Sequence, residues 1–302
     1  MDKFAICTIS TKSHIFKSKA LFDSVRRFND VDCLCLLTDT YDMPLDGEGI
    51  FYNDLSVLSD EISIRIKKKY KGDRLRWACK PMYIKRLVQM GYSRVIYVDN
   101  DICFFSSADF LFESLKNSRL LLTPHYYSIS VWQEQNWLEA NFRVGLYNAG
   151  FIGANLNAIP ILDWWANCCL YNVKKSAWRG LFDDQKYLDL VPVSFEGVEI
   201  VRHKGCNVAG WNLEVCTRSS AGNKEIFLDG VWPLVFVHFA KITYRQILNG
   251  SDKLLTAHLH EYSTMLKKHK HDYLPENELK RGLNDYLLYF RHIIWRIARL
   301  FE

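Results

Sequence analysis

The stretch Ser93-Arg94-Val95-Ile96-Tyr97-Val98-Asp99-Asn100-Asp101-Ile102 reads as a buried strand that ends in two carboxylates separated by one residue. Carboxylates at i and i+2 share one face of an extended backbone, so both reach a hard divalent cation where the strand frays into a turn. In α/β proteins ligands gather at the carboxyl ends of strands, where Asp99 and Asp101 fall. An Asp-Asn-Asp run after a strand is also an ordinary turn. Upstream, residues 3–10 and 31–38 are short apolar strands. Between them Ser18 to Phe28 sets Leu21, Val25 and Phe28 at helical spacing, a βαβ opening. Helices are expected over 55–70 and 77–90, the second with Trp77, Ile84, Leu87 and Val88 on its apolar face and Gly91 as its stop. This alternation predicts an α/β fold with a mostly parallel central sheet flanked by helices.

Composition narrows the classes. At 302 residues and 49% hydrophobic, the chain can bury a sizeable core. Its charge of +5, from 39 Lys and Arg against 34 Asp and Glu, is mild and dispersed, which argues against a nucleic-acid partner. Nine cysteines, an odd number without paired metal-ligand spacing, argue against a disulfide scaffold. The first residues run directly into strand-like sequence, and no uncharged apolar span is long enough to cross a bilayer. The expected location is therefore the reducing cytoplasm.

No GxxxxGK[ST] and no GxGxxG occurs, so a bound nucleotide must be held another way, and a metal bridging its diphosphate would serve. Beyond residue 120 the pattern loosens. The glycines of Tyr147-Asn148-Ala149-Gly150-Phe151-Ile152-Gly153 suggest a tight strand or a close backbone approach to a ligand. Residues 160–171 form an amphipathic helix and 184–190 a short one. From Leu283 to Glu302, Ile293, Ile294, Ile297, Leu300 and Phe301 share one helical face and Arg291, Arg296 and Arg299 the other. Such a helix suits an anionic membrane surface, and equally the core or a second subunit in a homo-oligomer.

Four segments then fall in order: Asp99-Asn100-Asp101, Tyr147-Asn148-Ala149-Gly150, Phe182-Asp183-Asp184-Gln185 and Val235-Phe236-Val237-His238. Together they resemble the nucleotide-sugar glycosyltransferases of the GT-A fold, most closely the retaining family-eight group, over residues 3–245. The resemblance implies a Rossmann-like GT-A sheet and a divalent metal, Mn2+ or Mg2+, held by Asp99, Asp101 and His238 against the diphosphate of the donor. Imidazole with carboxylates suits manganese better than calcium, which prefers oxygen alone. It further implies that Asn148, Ala149 and Gly150 lie along the donor sugar and that Asp184 and Gln185 lie near its anomeric carbon. Asp183 beside them is a second carboxylate, and in an inverting enzyme Asp183 or Asp184 would be the general base. A turn asparagine at 148 and a structural histidine at 238 are the plainer readings of those two residues.

Weaker expectations complete the site. Lys80, or Arg76, would offset diphosphate charge, and Thr8 and Ser10 would lie in the region that cradles the nucleobase and ribose. Trp211 and Asn212, in a polar, glycine-punctuated segment, suit sugar contacts. After His238 the chain reads Phe239-Ala240-Lys241, without the family's Gly followed by Lys-Pro-Trp, and Lys241 is the residue that can supply the missing cation. The expected activity is transfer of a sugar from a nucleotide-diphosphate sugar, UDP-linked, to a glycan or lipid-linked glycan hydroxyl. Its expected setting is bacterial lipopolysaccharide, capsule or other surface polysaccharide synthesis, as a peripheral enzyme on the cytoplasmic face of the inner membrane. A metal-dependent nucleotidyltransferase or phosphohydrolase is the competing enzyme class. The expected division is a catalytic domain over 1–245 and a helical extension over 246–302.

Overall fold

A computed structural model describes residues 2–39, 46–47, 49–132, 137–222 and 225–279. Its strands are β1 (Phe4–Ser10), β2 (Asp32–Leu37), β3 (Asp46–Gly47), β4 (Ile50–Asn53), β5 (Arg94–Val98), β6 (Ile102–Phe104), β7 (Leu120–Pro124), β8 (Tyr147–Asn155), β9 (Val198–Ile200), β10 (Arg218–Ala221), β11 (Glu225–Leu228), β12 (Trp232–Pro233) and β13 (Phe236–His238). Its α-helices are α1 (Ile15–Arg26), α2 (Glu61–Lys69), α3 (Gly72–Gln89), α4 (Asp109–Ser114), α5 (Trp137–Arg143), α6 (Ile159–Tyr171), α7 (Val191–Ser194), α8 (Lys241–Leu248) and α9 (Thr256–His269).

The central sheet has the order β3-β4-β2-β1-β5-β8-β7-β9. Strands β4, β2, β1 and β5 run parallel, β9 runs parallel to β7, and β8 is inserted antiparallel to both β5 and β7. The α/β architecture read from the sequence is borne out. All five residues of β5 are buried because both faces of the sheet are covered. Val95 and Tyr97 pack in the cluster that includes Leu75, Ala78 and Leu87 of α3 and Trp165 of α6. Ile96 and Val98 pack in the opposite cluster with Leu21, Phe22 and Val25 of α1.

Several element bounds differ from expectation, for local reasons. The single helix expected over 55–70 is a 3₁₀ turn, Leu55–Val57, followed by α2, because two caps split it. The Asp54 side chain accepts from Ser56 N–H and that of Asp60 from Ser63 N–H, each satisfying donors that an uninterrupted helix would use internally. Helix α3 starts earlier than residue 77 and runs through Pro81. The short helix expected over 184–190 is a 3₁₀ turn, Lys186–Leu190, continued by α7. The loose region beyond 120 contains β7 and β8, whose mutual pairing no local pattern announces.

Two features set the position of the site. A two-stranded ribbon pairs β13 antiparallel with β6, and its register puts His238 opposite Ile102, beside Asp101. Helix α9 packs on α1, tied by Asp23 to Lys268 at 2.9 Å and His269 at 2.8 Å. The division expected at 245/246 falls inside α8, and the described residues beyond it dock on the same body through Lys17–Glu278 and Tyr244–Tyr273. The segment 283–302 lies outside the described residues. Among the described residues no helix is long and apolar enough to cross a membrane.

Candidate active and metal site

Where β5 ends, Asp99 N–H donates to Gly150 O at 2.9 Å, binding the acidic turn to β8, and Ile102 N–H closes the turn on Asp99 O at 3.2 Å. The β6–β13 ribbon then brings His238 Nε2 to 3.1 Å from Asp101 Oδ1. Ligand atoms of Asp99, Asp101 and His238 all lie within 4.8 Å of one another. Gly150 makes this approach possible, since a Cβ there would stand 2.7 Å from His238 Cε1, 2.9 Å from Asn148 Oδ1 and 3.0 Å from Asp99 Oδ2. Of the two readings of these glycines, the tight strand is what β8 shows, with the Gly150 backbone packed against the acidic turn.

Asp101 and His238 shift each other's titration. Burial works against charge on Asp101, but the facing His238 outweighs it and its carboxyl lies well below the usual range. Burial likewise opposes charge on His238, and Asp101 more than compensates, raising the imidazole. Tyr97, on the same strand face as Asp99, donates its hydroxyl to Asp99 Oδ1 at 2.6 Å. One imidazole and two carboxylates with ligand atoms this close form a donor set that fits a divalent metal ion.

Beside this triad lies a second charged group. Lys80, on α3, is buried with its ammonium 3.2 Å from Asp99 Oδ1, 3.4 Å from Asp184 Oδ2 and 3.1 Å from Ala149 O. Burial opposes its charge, yet Asp184, Asp99 and Asp183 prevail and raise it above its ordinary value. Asp184 is 1% exposed, and its Oδ2 accepts no hydrogen bond from the described residues. Burial pushes its carboxyl up to about 7, with Lys80 pulling the other way. Trp165 Nε1–H donates to Asp184 O at 2.8 Å, so α6 fixes the backbone beneath it. Gln185 accepts from Ala149 N–H at 3.1 Å and donates to Val144 O at 3.2 Å, tying this turn to β8. Asp183, held in the left-handed region at φ 42°, accepts from Gln185 N–H at 3.1 Å and faces Lys175 Nζ at 3.4 Å.

Asn148 braces the triad from the side of β8. Its Oδ1 accepts from Gly150 N–H at 2.7 Å, its Nδ2 donates to Asn207 Oδ1 at 2.7 Å, and the same Nδ2 lies 3.1 Å from His238 Nδ1. Asn207 is fully buried at φ 62° and donates to Pro124 O at 3.2 Å. A non-glycine residue in the left-handed region is uncommon, and two of the four among the described residues border this site.

The other expected residues divide. Thr8 and Ser10 are buried at the end of β1. Ser10 Oγ accepts from Asn100 Nδ2 at 3.0 Å, while Thr8 Oγ1 has no partner among the described residues. Trp211 sets its ring edge-to-face with His238, centroids 5.0 Å apart. Asn212 instead spends its amide inside the loop. It donates to His125 O and Asn207 O and accepts from Ala209 N–H and Arg218, which leaves its amide filled by protein partners. Lys241 begins α8, partly exposed, and the chain passes from His238 into that helix with Thr243 Oγ1 donating to His238 O at 2.9 Å. Arg76 pairs with Asp73 on the outer turn of α3. Sequence reasoning missed Tyr97, Asn207, Lys175 and His125. Burial pushes the His125 imidazole down to about 3, so it is neutral. Its Nδ1–H donates to Gly145 O at 3.0 Å, and its ring stacks on Tyr127 at 4.6 Å.

No protein-family profile matches the chain. Two uncharacterized proteins of Bacillus subtilis (strain 168) are similar. YfnF is 26% identical over 245 residues, covering 78% of this chain and 80% of its own, and YfnD is 26% identical over 256 residues, covering 80% and 79%. Among solved structures, the bifunctional glycosyltransferase WbbM aligns at TM-score 0.47 and 11% identity, over 70% of this chain and 41% of that one. The galactosyltransferase LgtC, in complex with donor and acceptor sugar analogs, aligns at TM-score 0.43 and 13% identity over 78% and 86%.

Proposed function

We propose that the chain is a metal-dependent GT-A glycosyltransferase that moves a sugar from a UDP-linked donor to a glycan or lipid-linked glycan hydroxyl. The observation that carries this reading is the convergence of Asp99, Asp101 and His238 next to a buried Lys80–Asp184 pair. Those three residues would hold a divalent cation, which when bound would neutralise charge on the departing diphosphate. Lys80 keeps Asp99 and Asp184 from repelling each other in a dry site, so both carboxylates stay in place before the substrate arrives. Asp184, its Oδ2 buried against Lys80, stands beside the triad where the donor sugar would lie, and Asn148, Ala149 and Gly150 form the start of β8 along which that sugar would run. Trp211 supplies an apolar ring face beside His238.

Retention is the stereochemical reading we adopt. An inverting base must be free to take a proton from the acceptor, whereas Asp183 already faces Gln185 N–H and Lys175, and Asp184 faces Lys80. The setting we propose is surface polysaccharide synthesis, with residues 1–245 as the catalytic unit.

The test is hydrolysis of UDP-, GDP- and CMP-sugars with and without Mn2+. Metal-dependent turnover of a UDP-sugar is expected, abolished by Asp101→Ala and His238→Ala. Robust metal-free turnover in both variants defeats the assignment, and the anomer formed, read by NMR, decides retention.

A further inference from the structure

We propose that a basic, aromatic face formed by the end of α2, the end of α6 and the hairpin after it docks on an anionic lipid bilayer. Residues 62–72 and 164–182 contain only one carboxylate-free run each, with no Asp or Glu in either, although the chain as a whole has nearly balanced charge. The two runs meet in space. Lys69 Nζ donates to Leu170 O at 2.6 Å and to Tyr171 O at 2.9 Å, and Arg179 Nη2 donates to Tyr171 Oη at 2.5 Å. Between them lies an open groove of about 680 Å³ lined by Arg65, Lys68, Lys69, Asn167, Leu170 and Tyr171. Glu61, at one end of this face, is the acid that Arg65 meets, at 3.8 Å.

The hairpin adds an anchor to this charge. Ser176 and Leu181 bridge through reciprocal backbone hydrogen bonds of 2.8 and 3.0 Å, so the tip Ala177-Trp178-Arg179-Gly180 is held out on a tight turn. Trp178 at that tip is 99% exposed, an apolar ring with no protein neighbour to bury it, flanked by Arg179, Lys174 and Lys175. A tryptophan with cations near it along the chain is a pattern that suits the interface between headgroups and acyl chains, where the indole loses water contact and the cations keep theirs. Lys175 joins this surface to the site. Its ammonium lies over the Phe182 ring at 4.4 Å and 3.4 Å from Asp183 Oδ2, so docking brings the carboxylate turn down to the bilayer plane. That last step rests on the transferase reading with a lipid-linked acceptor, whereas the docking itself does not.

The experiment is co-sedimentation of the full chain with vesicles of phosphatidylcholine alone or with 30% phosphatidylglycerol, at low and high salt. Wild type is expected to bind the anionic vesicles only, and less at high salt. Lys68→Gln with Lys174→Gln should weaken binding about 25-fold, at roughly fivefold per cation removed. Trp178→Ser should weaken it about tenfold or more at both salt concentrations. All these positions are exposed, so circular dichroism and metal-dependent donor hydrolysis stay at wild-type level. Unchanged binding in both variants overturns the proposal, as does equal binding to neutral vesicles or full displacement by soluble polyphosphate, which would assign the face to a soluble polyanion. If wild type follows these expectations yet hydrolyses no donor, the docking face stands and the transferase reading falls.

Discussion

Gly150→Ala separates metal binding from folding. Gly150 lies in extended β8 and has no positive φ, so alanine keeps the backbone. The added methyl would meet His238 Cε1 at 2.7 Å, Asn148 Oδ1 at 2.9 Å and Asp99 Oδ2 at 3.0 Å, all tighter than the 3.4 Å where ordinary contact begins. The His238 ring must therefore retreat by about 0.7 Å, against a tolerance of about 0.2 Å in metal–ligand distance. Misplaced ligands and supports cost about 10- to 100-fold in metal affinity, equal to about 1.4–2.8 kcal/mol. Gly153→Ala is the control on the same strand, for the three atoms nearest its methyl all belong to the Leu121 side chain, each at 3.0 Å. Both variants should lose about 1–3 kcal/mol of stability from overpacking. Mn2+ titration followed by EPR of the free ion, with denaturant unfolding on the same samples, reads both quantities. The reasoning is refuted if folded Gly150→Ala binds Mn2+ as tightly as wild type, or if Gly153→Ala loses as much affinity.

Further expectations concern the charged groups. Lys80→Met leaves Asp99 and Asp184 facing each other without their cation, and single-turnover donor hydrolysis should fall about 100-fold or more; unaltered turnover would detach Lys80 from the chemistry. Arg218 and Asp252 form an ion pair at 3.2 Å with each side chain 2% exposed, so Asp252→Ala strands a buried guanidinium and should cost about 3–5 kcal/mol in urea unfolding. At Asp23, burial acts to raise the carboxyl, but Lys268 and His269 prevail and lower it. A lowered carboxylate contributes stability above its ordinary value of about 3.9 and loses that contribution as pH falls through the folded value. Asp23→Asn should therefore flatten the acid limb of stability below about pH 4, and an unchanged limb in pH-dependent unfolding would count against the α1–α9 clamp.

What the sequence disclosed, and what it withheld, follows the range of each interaction. Strand β5 and the pair Asp99 and Asp101 were legible because burial and the two-residue period are local properties. The same period contained a signal that went unused: alternation places Tyr97 on the face of Asp99, and its hydroxyl does bond that carboxylate. The split between residues 55–57 and α2 was likewise written in Asp54 and Asp60, each two or three residues before the N–H it caps. His238 had no such local mark. Only its resemblance to a family proposed it, because its position depends on β13 pairing with β6 across a long intervening chain. Asn207 was invisible for a further reason: its importance lies in a left-handed backbone and a buried amide chain, which nothing in Gly205-Cys206-Asn207-Val208 specifies.

The same distinction explains why Gly150 sits where it does. A buried strand interior ordinarily favours a side chain, since glycine there weakens the strand and packs nothing. Here β8 runs beside the acidic turn of β5 and the histidine of β13, with Gly150 N–H donating to Asn148 Oδ1 and Gly150 O accepting from Asp99 N–H. Any Cβ would press on the His238 ring, the Asn148 amide oxygen and the Asp99 carboxylate at once. The local rule for strands yields at this residue to a requirement that comes from three separate segments, and departures of that kind collect where function sets the geometry.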